Sequence, residues 1–464
     1  MAGRAAIIGG GVIGGGWAAR FLLMGWDVAL YDPSPDALAR VDRVLEQARY
    51  ALPMLYDTAL PEEGRLSRAA TLEEAVAGAD YIQESVPERL DLKRQVYRAI
   101  EVVNETAPIG SSTSGFRPSE LRKGLRTGER LVVAHPFNPV YLLPLVEVVG
   151  EGDVVARATG ILNGIGMFPL PVKKEIDAHI ADRLLEAVWR EALWLVKDGV
   201  ATTGDIDEAI RMGFGLRWAQ MGLFETYRIA GGDGGMAHFL SQFGPALKWP
   251  WTKLMDVPDL TPDLIRTIAA QSDAQSGHTP IPDLEARRDA NLVAILRALR
   301  ARGEAAGQQI ARHEATIARP DPDALTSVRR TVPVDWTDYN AHMNEGRYGQ
   351  VFSDAADAVM AAFGADGDYV ASGLSYFTVS TDVRYLNETH AGERIYVRSR
   401  IRLAEGKKLK LWHEMRRERD DACLATCEQF LLHVDLTTRK SCPPRSDIEA
   451  RLMALAARHA AESD

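Results

Sequence analysis

Three side chains that could do chemistry crowd into one apolar, proline-rich stretch. His135 and Asn138 lie in Ala134-His135-Pro136-Phe137-Asn138-Pro139, and Glu147 closes Leu143-Pro144-Leu145-Val146-Glu147. An imidazole is the side chain best poised to take a proton from an alcohol near neutral pH. A hydroxyl cluster, Ser111-Ser112-Thr113-Ser114, precedes them. It falls at the end of an expected strand, the edge where open α/β sheets bind ligands. A solvated turn or a helix N-cap accounts for the same hydroxyls equally well.

Upstream of these groups lie the elements that must position them. Residues 5–8 are a short apolar run of the kind buried in a parallel sheet. Gly9-Gly10-Gly11-Val12-Ile13-Gly14 follows, then a helical segment over 17–24 and a second strand over 28–31 that ends at Asp32. Strand, glycine turn, helix, strand and acid, with the acid about 20 residues beyond the turn, is the arrangement that holds a dinucleotide. The glycines let backbone approach a pyrophosphate, whose charge the helix N-terminus favours. A carboxylate at Asp32 accepts ribose hydroxyls and repels a 2′-phosphate, so NAD is expected rather than NADP. Residues 35–70 are expected to be helical, interrupted at Pro61, and 90–103 have helical spacing. A strand over 131–134 delivers His135.

At 464 residues the chain should hold two to four domains. A hydrophobic fraction of 46% and a charged fraction of 25% are ordinary for a soluble protein. The formal net charge of -10 argues against nucleic acid and anionic membranes as partners. No apolar run approaches the ~20 residues of a membrane span, and a strand begins too early to leave room for a signal peptide. Cys423, Cys427 and Cys442 are too few for a disulfide framework or a cysteine zinc site, so no metal is expected. A cytoplasmic location follows as the expectation.

Residues 5 to about 300 resemble the 3-hydroxyacyl-CoA dehydrogenase family. The resemblance rests on Gly9-x-Gly11-x-x-Gly14, Glu84-Ser85-Val86-Pro87-Glu88, Ser111 to Ser114, His135-Pro136-Phe137-Asn138-Pro139 and Leu145-Val146-Glu147-Val148-Val149. It implies a Rossmann domain, an all-α C-terminal domain and a His135–Glu147 catalytic dyad. The family's active-site serine and asparagine fall on Ser114 and Asn138, and its glutamate and lysine near the cofactor on Glu88 and Lys93. In those roles His135 accepts the alcohol proton, Glu147 fixes the imidazole tautomer, and Ser114 and Asn138 hydrogen-bond the reacting oxygen.

The cap departs from the family. Where acyl-CoA enzymes read Pro-Gly-Phe-Ile-x-Asn-Arg, this chain reads Asp177-Ala178-His179-Ile180-Ala181-Asp182-Arg183. Asp182 therefore replaces the active-site asparagine. A carboxylate there suits a cationic substrate better than a CoA ester, although it could instead pair with Arg183 or Arg190. Gly213 to Gly222 resembles the lambda-crystallin branch, whose members oxidise small hydroxy acids. Within it Arg217 is a candidate carboxylate clamp, next to Trp218. The run Gly231 to Phe239, with Lys248-Trp249-Pro250-Trp251, is similar to carnitine-oxidising members. Carnitine is thus the implied substrate, its trimethylammonium suited to aromatic faces and carboxylates. Most of the tryptophans fall between residues 189 and 336, though many serve helix packing.

Pro320 and Pro322 mark a boundary. Beyond it come an edge strand over 329–334, one amphipathic helix stopped at Gly364, and strands over 380–385, 394–403, 408–415 and 423–434. Asp338-x-x-x-His342-Met343-Asn344, with Tyr348 following, resembles the 4-hydroxybenzoyl-CoA thioesterase family of hotdog proteins over about 328–440. That implies a catalytic Asp338, with His342 and Asn344 at a helix N-terminus able to face a thioester oxyanion. A turn acid is the plainer role for Asp338.

The expected domains are an NAD-binding Rossmann domain over 1–180, a helical substrate and dimerisation domain over 181–318, a linker over 319–327, an α+β hotdog over 328–440 and a tail over 441–464, in which 447–464 is a short Ala/Arg-rich helix or frayed end. The two resemblances together imply NAD-dependent oxidation of carnitine and hydrolysis of betainyl-CoA, an acyl-CoA thioester, by a homodimer. The alternatives are a dehydrogenase of another 3-hydroxy acid or 3-hydroxyacyl-CoA, and a hotdog that acts on a different thioester or serves only to dimerise.

Overall fold

The computed structural model describes residues 3–230, 233, 235–243, 252, 253, 256 and 259–461. The chain divides into two compact units, residues 1–49 with 62–313, and residues 50–61 with 314–464.

Eight strands make the sheet of the first unit: β1 (Arg4–Ile8), β2 (Asp27–Tyr31), β3 (Leu66–Arg68), β4 (Tyr81–Glu84), β5 (Ile109–Ser111), β6 (Leu131–Pro136), β7 (Leu145–Val149) and β8 (Phe168–Val172). Their order is β3-β2-β1-β4-β5-β6-β7-β8, a doubly wound sheet whose sequence of strands reverses between β1 and β4. All neighbours are parallel except β6 and β7. Burial on both faces explains why the cores of β1 and β6, residues 5–8 and 131–134, read as continuous apolar runs. The helix Val12–Leu23 follows β1 directly. Gly14 makes this possible, because a Cβ there would stand 1.8 Å from the Gly9 carbonyl oxygen.

The helix expected over 35–70 is shorter. It spans Pro35–Ala51, passes into a 3₁₀ turn at Leu52–Leu55, and is followed by β3. Pro53 and Pro61 interrupt the helical ladder, and Leu66–Arg68 pairs instead with the open edge of β2. Past β8 the described elements of this unit are helical, opening with Ala181–Lys197. The helical pattern over 284–317 is two helices, Ile281–Arg302 and Ala305–Ile317, parted at the left-handed Gly303 (φ 67°).

In the second unit, β9 (Thr326–Thr331), β10 (Leu374–Tyr385), β11 (Arg394–Glu405), β12 (Lys408–Arg417) and β13 (Cys423–Asp435) form an antiparallel sheet ordered β10-β13-β12-β11-β9, with β14 (Lys440–Ser441) beside β13. The helix Glu345–Ala362 lays Tyr348, Val351, Phe352, Ala355 and Val359 against this sheet. One long helix on an antiparallel sheet is the hotdog arrangement. Within residues 441–464, the stretch expected as a short helix or frayed end is the helix Ser446–Ala461. Its Ile448, Leu452 and Leu455 are buried with Val359 and Phe363. Ile448, Leu452 and Leu455, spaced i, i+4, i+7, make an apolar stripe that gives the helix a place in this core.

Phe352 is fully buried at the centre of this contact. Phe352→Ala should cost about 3–5 kcal/mol. Chemical denaturation should show the hotdog transition moved to lower urea and the other transition in place.

Candidate active site

The antiparallel step between β6 and β7 sets the centre of the first unit. It places His135 directly opposite Glu147 in the ladder register. Both side chains are buried, and Glu147 Oε2 accepts from His135 Nδ1 at 3.0 Å. A carboxylate acceptor puts the proton on Nδ1 and leaves Nε2 with its lone pair. The other oxygen, Oε1, accepts the backbone N–H groups of Ile180 (2.9 Å) and Ala181 (3.0 Å). These are orphan donors at the start of the helix Ala181–Lys197, a place that favours an anion. Burial pushes the Glu147 carboxyl up, but the His135 hydrogen bond and the two backbone amides outweigh it and hold the group below its ordinary value.

Two groups converge on the free nitrogen. Ser114 Oγ lies 3.3 Å and Asp182 Oδ2 3.5 Å from His135 Nε2. Asp182 belongs to the first turn of the same helix whose amides hold Glu147, so one helix start supplies both carboxylate contacts. Among the described residues its ion-pair partner is His135, not Arg183 or Arg190.

Sequence reasoning passed over His179. It is fully buried, its ring 5.5 Å from that of His135, and its Nε2–H donates to the Thr113 carbonyl at 3.2 Å. It thereby ties the loop that carries Ser114 to the helix that carries Asp182. Burial holds its imidazole below the ordinary value. Ala178 and His179 both have positive φ (58° and 50°), a conformation that costs non-glycine residues energy. The departure from the family's Pro-Gly-Phe at this spot was the available signal.

A cavity of about 710 Å³ opens at the carboxyl ends of β1, β2 and β4, where the strand order reverses. Gly9, Gly11, Asp32, Ser34, Arg40 and Val86 are among its lining. Asp32 is fixed by the Gly10 (2.6 Å) and Ser34 (2.8 Å) amides, which its two oxygens accept. Gly11 is the N-cap of the helix Val12–Leu23 and has no side-chain cap, while a Cβ at Gly11 would meet nothing within 4 Å. Helix amides facing open space fit a dinucleotide pyrophosphate. Val12 and Ile13 begin that helix, and Val12 is exposed. Glu88 and Lys93 lie outside the lining. Lys93 is buried and paired with Glu84 (2.8 Å) and Glu88 (3.3 Å), and Glu88 in turn takes hydrogen bonds from Thr113 and Gly115. They brace the Ser114 loop.

Other expected residues are not gathered here. Asn138 is exposed and precedes a cis peptide to Pro139. Arg217 and Trp218 lie exposed on the helix Gly215–Ala230, with Trp218 against Phe214. Among the described residues no hydrogen bond, ion pair or ring contact links them to His135 or Asp182. Of the glycine and tryptophan run, residues 231, 232, 234 and 248–251 lie outside the described residues. In the second unit, Asp338 Oδ1 accepts from the amides of Asn340 (2.8 Å) and His342 (3.3 Å), and Asn344 caps the helix Glu345–Ala362 through the Gly346 amide (3.0 Å).

Comparison with known proteins agrees with both units. Residues 4–176 match the NAD-binding domain of 3-hydroxyacyl-CoA dehydrogenases, 179–258 the C-terminal domain of the same enzymes, and 332–452 the thioesterase-like superfamily. A protein of Ruegeria pomeroyi named L-carnitine dehydrogenase/betainyl-CoA thioesterase is 58% identical, over 97% of this chain and 95% of that one. One of the same name from Agrobacterium fabrum is 55% identical, over 94% and 92%. The chain belongs to the L-carnitine dehydrogenase/betainyl-CoA thioesterase family. A solved structure, that of 5-formyl-3-hydroxy-2-methylpyridine 4-carboxylic acid 5-dehydrogenase, an NAD+-dependent dismutase, matches with a TM-score of 0.54 at 30% identity, over 64% of this chain and 99% of that one. Family membership makes NAD the cofactor of the first unit.

Glu147→Gln tests the junction. A carboxamide has one acceptor oxygen, too few for both the imidazole and the helix amides. The variant should lose about 1–3 kcal/mol near neutral pH. Because the folded value of Glu147 is depressed, this stability is present above the unfolded value of 4.5 and is lost as pH falls through the folded one. Urea denaturation across pH should show the gap between wild type and variant closing in acid.

Proposed function

We propose that the first unit oxidises L-carnitine to 3-dehydrocarnitine with NAD, and that the hotdog unit hydrolyses betainyl-CoA to glycine betaine and CoA. The relatives' shared name over nearly the whole chain supports the pair of reactions. The observation that carries the first is the carboxylate of Asp182 beside the open nitrogen of His135.

His135 Nε2 takes the hydroxyl proton of the substrate, since Glu147 occupies Nδ1. The resulting imidazolium lies between two carboxylates, Glu147 and Asp182, which lowers the energy of its charge. NAD, when bound, accepts the hydride. Ser114, within reach of Nε2, hydrogen-bonds the reacting oxygen; the family resemblance alone assigns the exposed Asn138 the same role. Asp182 also supplies a negative charge to a trimethylammonium group, and a CoA ester offers no cation to use it. Arg217 is the candidate clamp for the substrate carboxylate, with Trp218 an aromatic face beside it. Gly9, Gly11, Val12, Ile13, Gly14 and Asp32 hold the cofactor, and Glu88 and Lys93 support it through the loop.

In the second unit Asp338 activates water or attacks the thioester carbonyl. His342 and the capped start of the helix Glu345–Ala362 stabilise the oxygen. The chain works as a cytoplasmic homodimer: β10 is an edge strand with Phe377, Val379 and Tyr385 exposed, apolar cover that a second copy provides.

Initial rates with NAD should favour L-carnitine over 3-hydroxybutyryl-CoA. Asp182→Asn should raise KM for L-carnitine by roughly tenfold, the equivalent of about 1.4 kcal/mol. Turnover of the CoA ester alone would end the carnitine reading. His135→Gln should abolish NAD reduction and leave thiol release intact.

Asp338→Asn keeps the acceptor that closes its turn and removes the charge. Thiol release from betainyl-CoA should fall about a hundredfold or more, with carnitine oxidation unchanged. An unaltered rate of thiol release would reduce Asp338 to a turn acid.

A further inference from the structure

We propose that His342, Glu388 and His390 form a binding site for a divalent transition-metal ion of the zinc class. The three side chains can each offer one ligand atom, and these atoms all lie within 4.8 Å of one another. Two imidazoles and one carboxylate are a donor set that suits zinc, and three protein ligands leave one position open.

The backbone builds this cluster, so it is more than a chance meeting of surface side chains. His342 and His390 face each other across an isolated antiparallel bridge, their ring centroids 4.8 Å apart. The next rung is also held, with the Met343 amide donating to the Thr389 carbonyl at 2.8 Å. Glu393 fixes the segment from below, its Oε2 accepting from the His390 amide (3.0 Å) and from Thr389 Oγ1 (2.7 Å). Asn387 anchors the residue before Glu388 by donating to the Cys423 carbonyl at 2.8 Å.

Tautomer and spacing point the same way. His390 Nδ1 lies 3.0 Å from the Ala341 carbonyl, which can only accept, so Nδ1 carries the proton and Nε2 keeps its lone pair. A metal-bound histidine characteristically donates its other N–H to a backbone carbonyl in this way. His342 Nε2 stands 3.5 Å from Glu388 Oε2, too long for a good hydrogen bond. Ligand bonds of about 2.0–2.2 Å around a tetrahedral ion separate neighbouring donors by roughly 3.4 Å, close to this gap.

The inference concerns ion binding and does not depend on the hydrolysis reading. The full-length chain, stripped with chelator, is equilibrated with micromolar zinc, desalted and assayed by elemental mass spectrometry. Wild type should retain about one zinc per chain. His390→Ala and Glu388→Gln should each retain less than about a tenth of that, since loss of one of three ligands costs at least tenfold in affinity. Glu388 is 64% exposed, so its conservative variant should fold, and unchanged circular dichroism verifies this. Cobalt(II) added to the stripped wild type should give the intense visible bands of a tetrahedral site, absent from both variants. No retained zinc in wild type, or equal zinc in all three proteins, overturns the proposal.

Discussion

The buried carboxylate of Glu147 is the contact on which the dehydrogenase unit depends. One oxygen orients His135 and the other holds the two backbone amides that open the cap helix. A buried charge is tolerable only when such partners replace water. Here the partners belong to separate structures, a sheet strand and a helix start. Satisfying the charge therefore forces the sheet and the cap into one register. Asp182 rides on the same helix turn, so the placement of the carboxylate beside His135 Nε2 follows from how Glu147 is satisfied.

His179 adds a second tie between the same parts. Its hydrogen bond to the Thr113 carbonyl and its tilted ring contact with His135 align the serine loop with the dyad, while Lys93, Glu84 and Glu88 brace that loop. The positive φ values at Ala178 and His179 show that the chain accepts local strain at this turn. Rigid support of this sort is what a proton-transfer geometry needs, because small displacements of the base are costly. The hotdog unit is organised by a different constraint, the burial of one amphipathic helix between sheet and C-terminal helix, and its polar cluster at His342 sits where the chain enters that helix.

Much of this was readable in advance where a residue's role follows from its neighbours in sequence. The glycine turn, Asp32 at the end of β2, and the alternation that marks β11 to β13 are all local patterns, and backbone geometry alone converts them into structure. The helix over 35–70 was misread because its strand, Leu66–Arg68, is short and forms only by pairing with β2. The helix Ser446–Ala461 was legible only as a short helix or a frayed end, because its apolar stripe acquires meaning only against the core it joins. Arg217 and Trp218 lie exposed on their own helix, so their proposed part in holding the substrate rests on the sequence motif and not on a contact with the dyad among the described residues.

Sequence by itself determined the classes of chemistry: a histidine and a glutamate at the spacing that an antiparallel strand pair converts into contact, a nucleotide-binding turn, and an independent acid beyond Pro322. Tertiary structure decided which charges share a site. Asp182 could have paired along its own helix surface with Arg183 or Arg190, and nothing local forbade it. It faces His135 because the helix N-terminus is held on Glu147, a residue 33 and 34 positions before the two amides it binds, at Ile180 and Ala181. Likewise His342, Glu388 and His390 became neighbours only through a bridge between two segments far apart in the chain. Such long-range pairings are set by the burial of strands and charges, which no single stretch of sequence records.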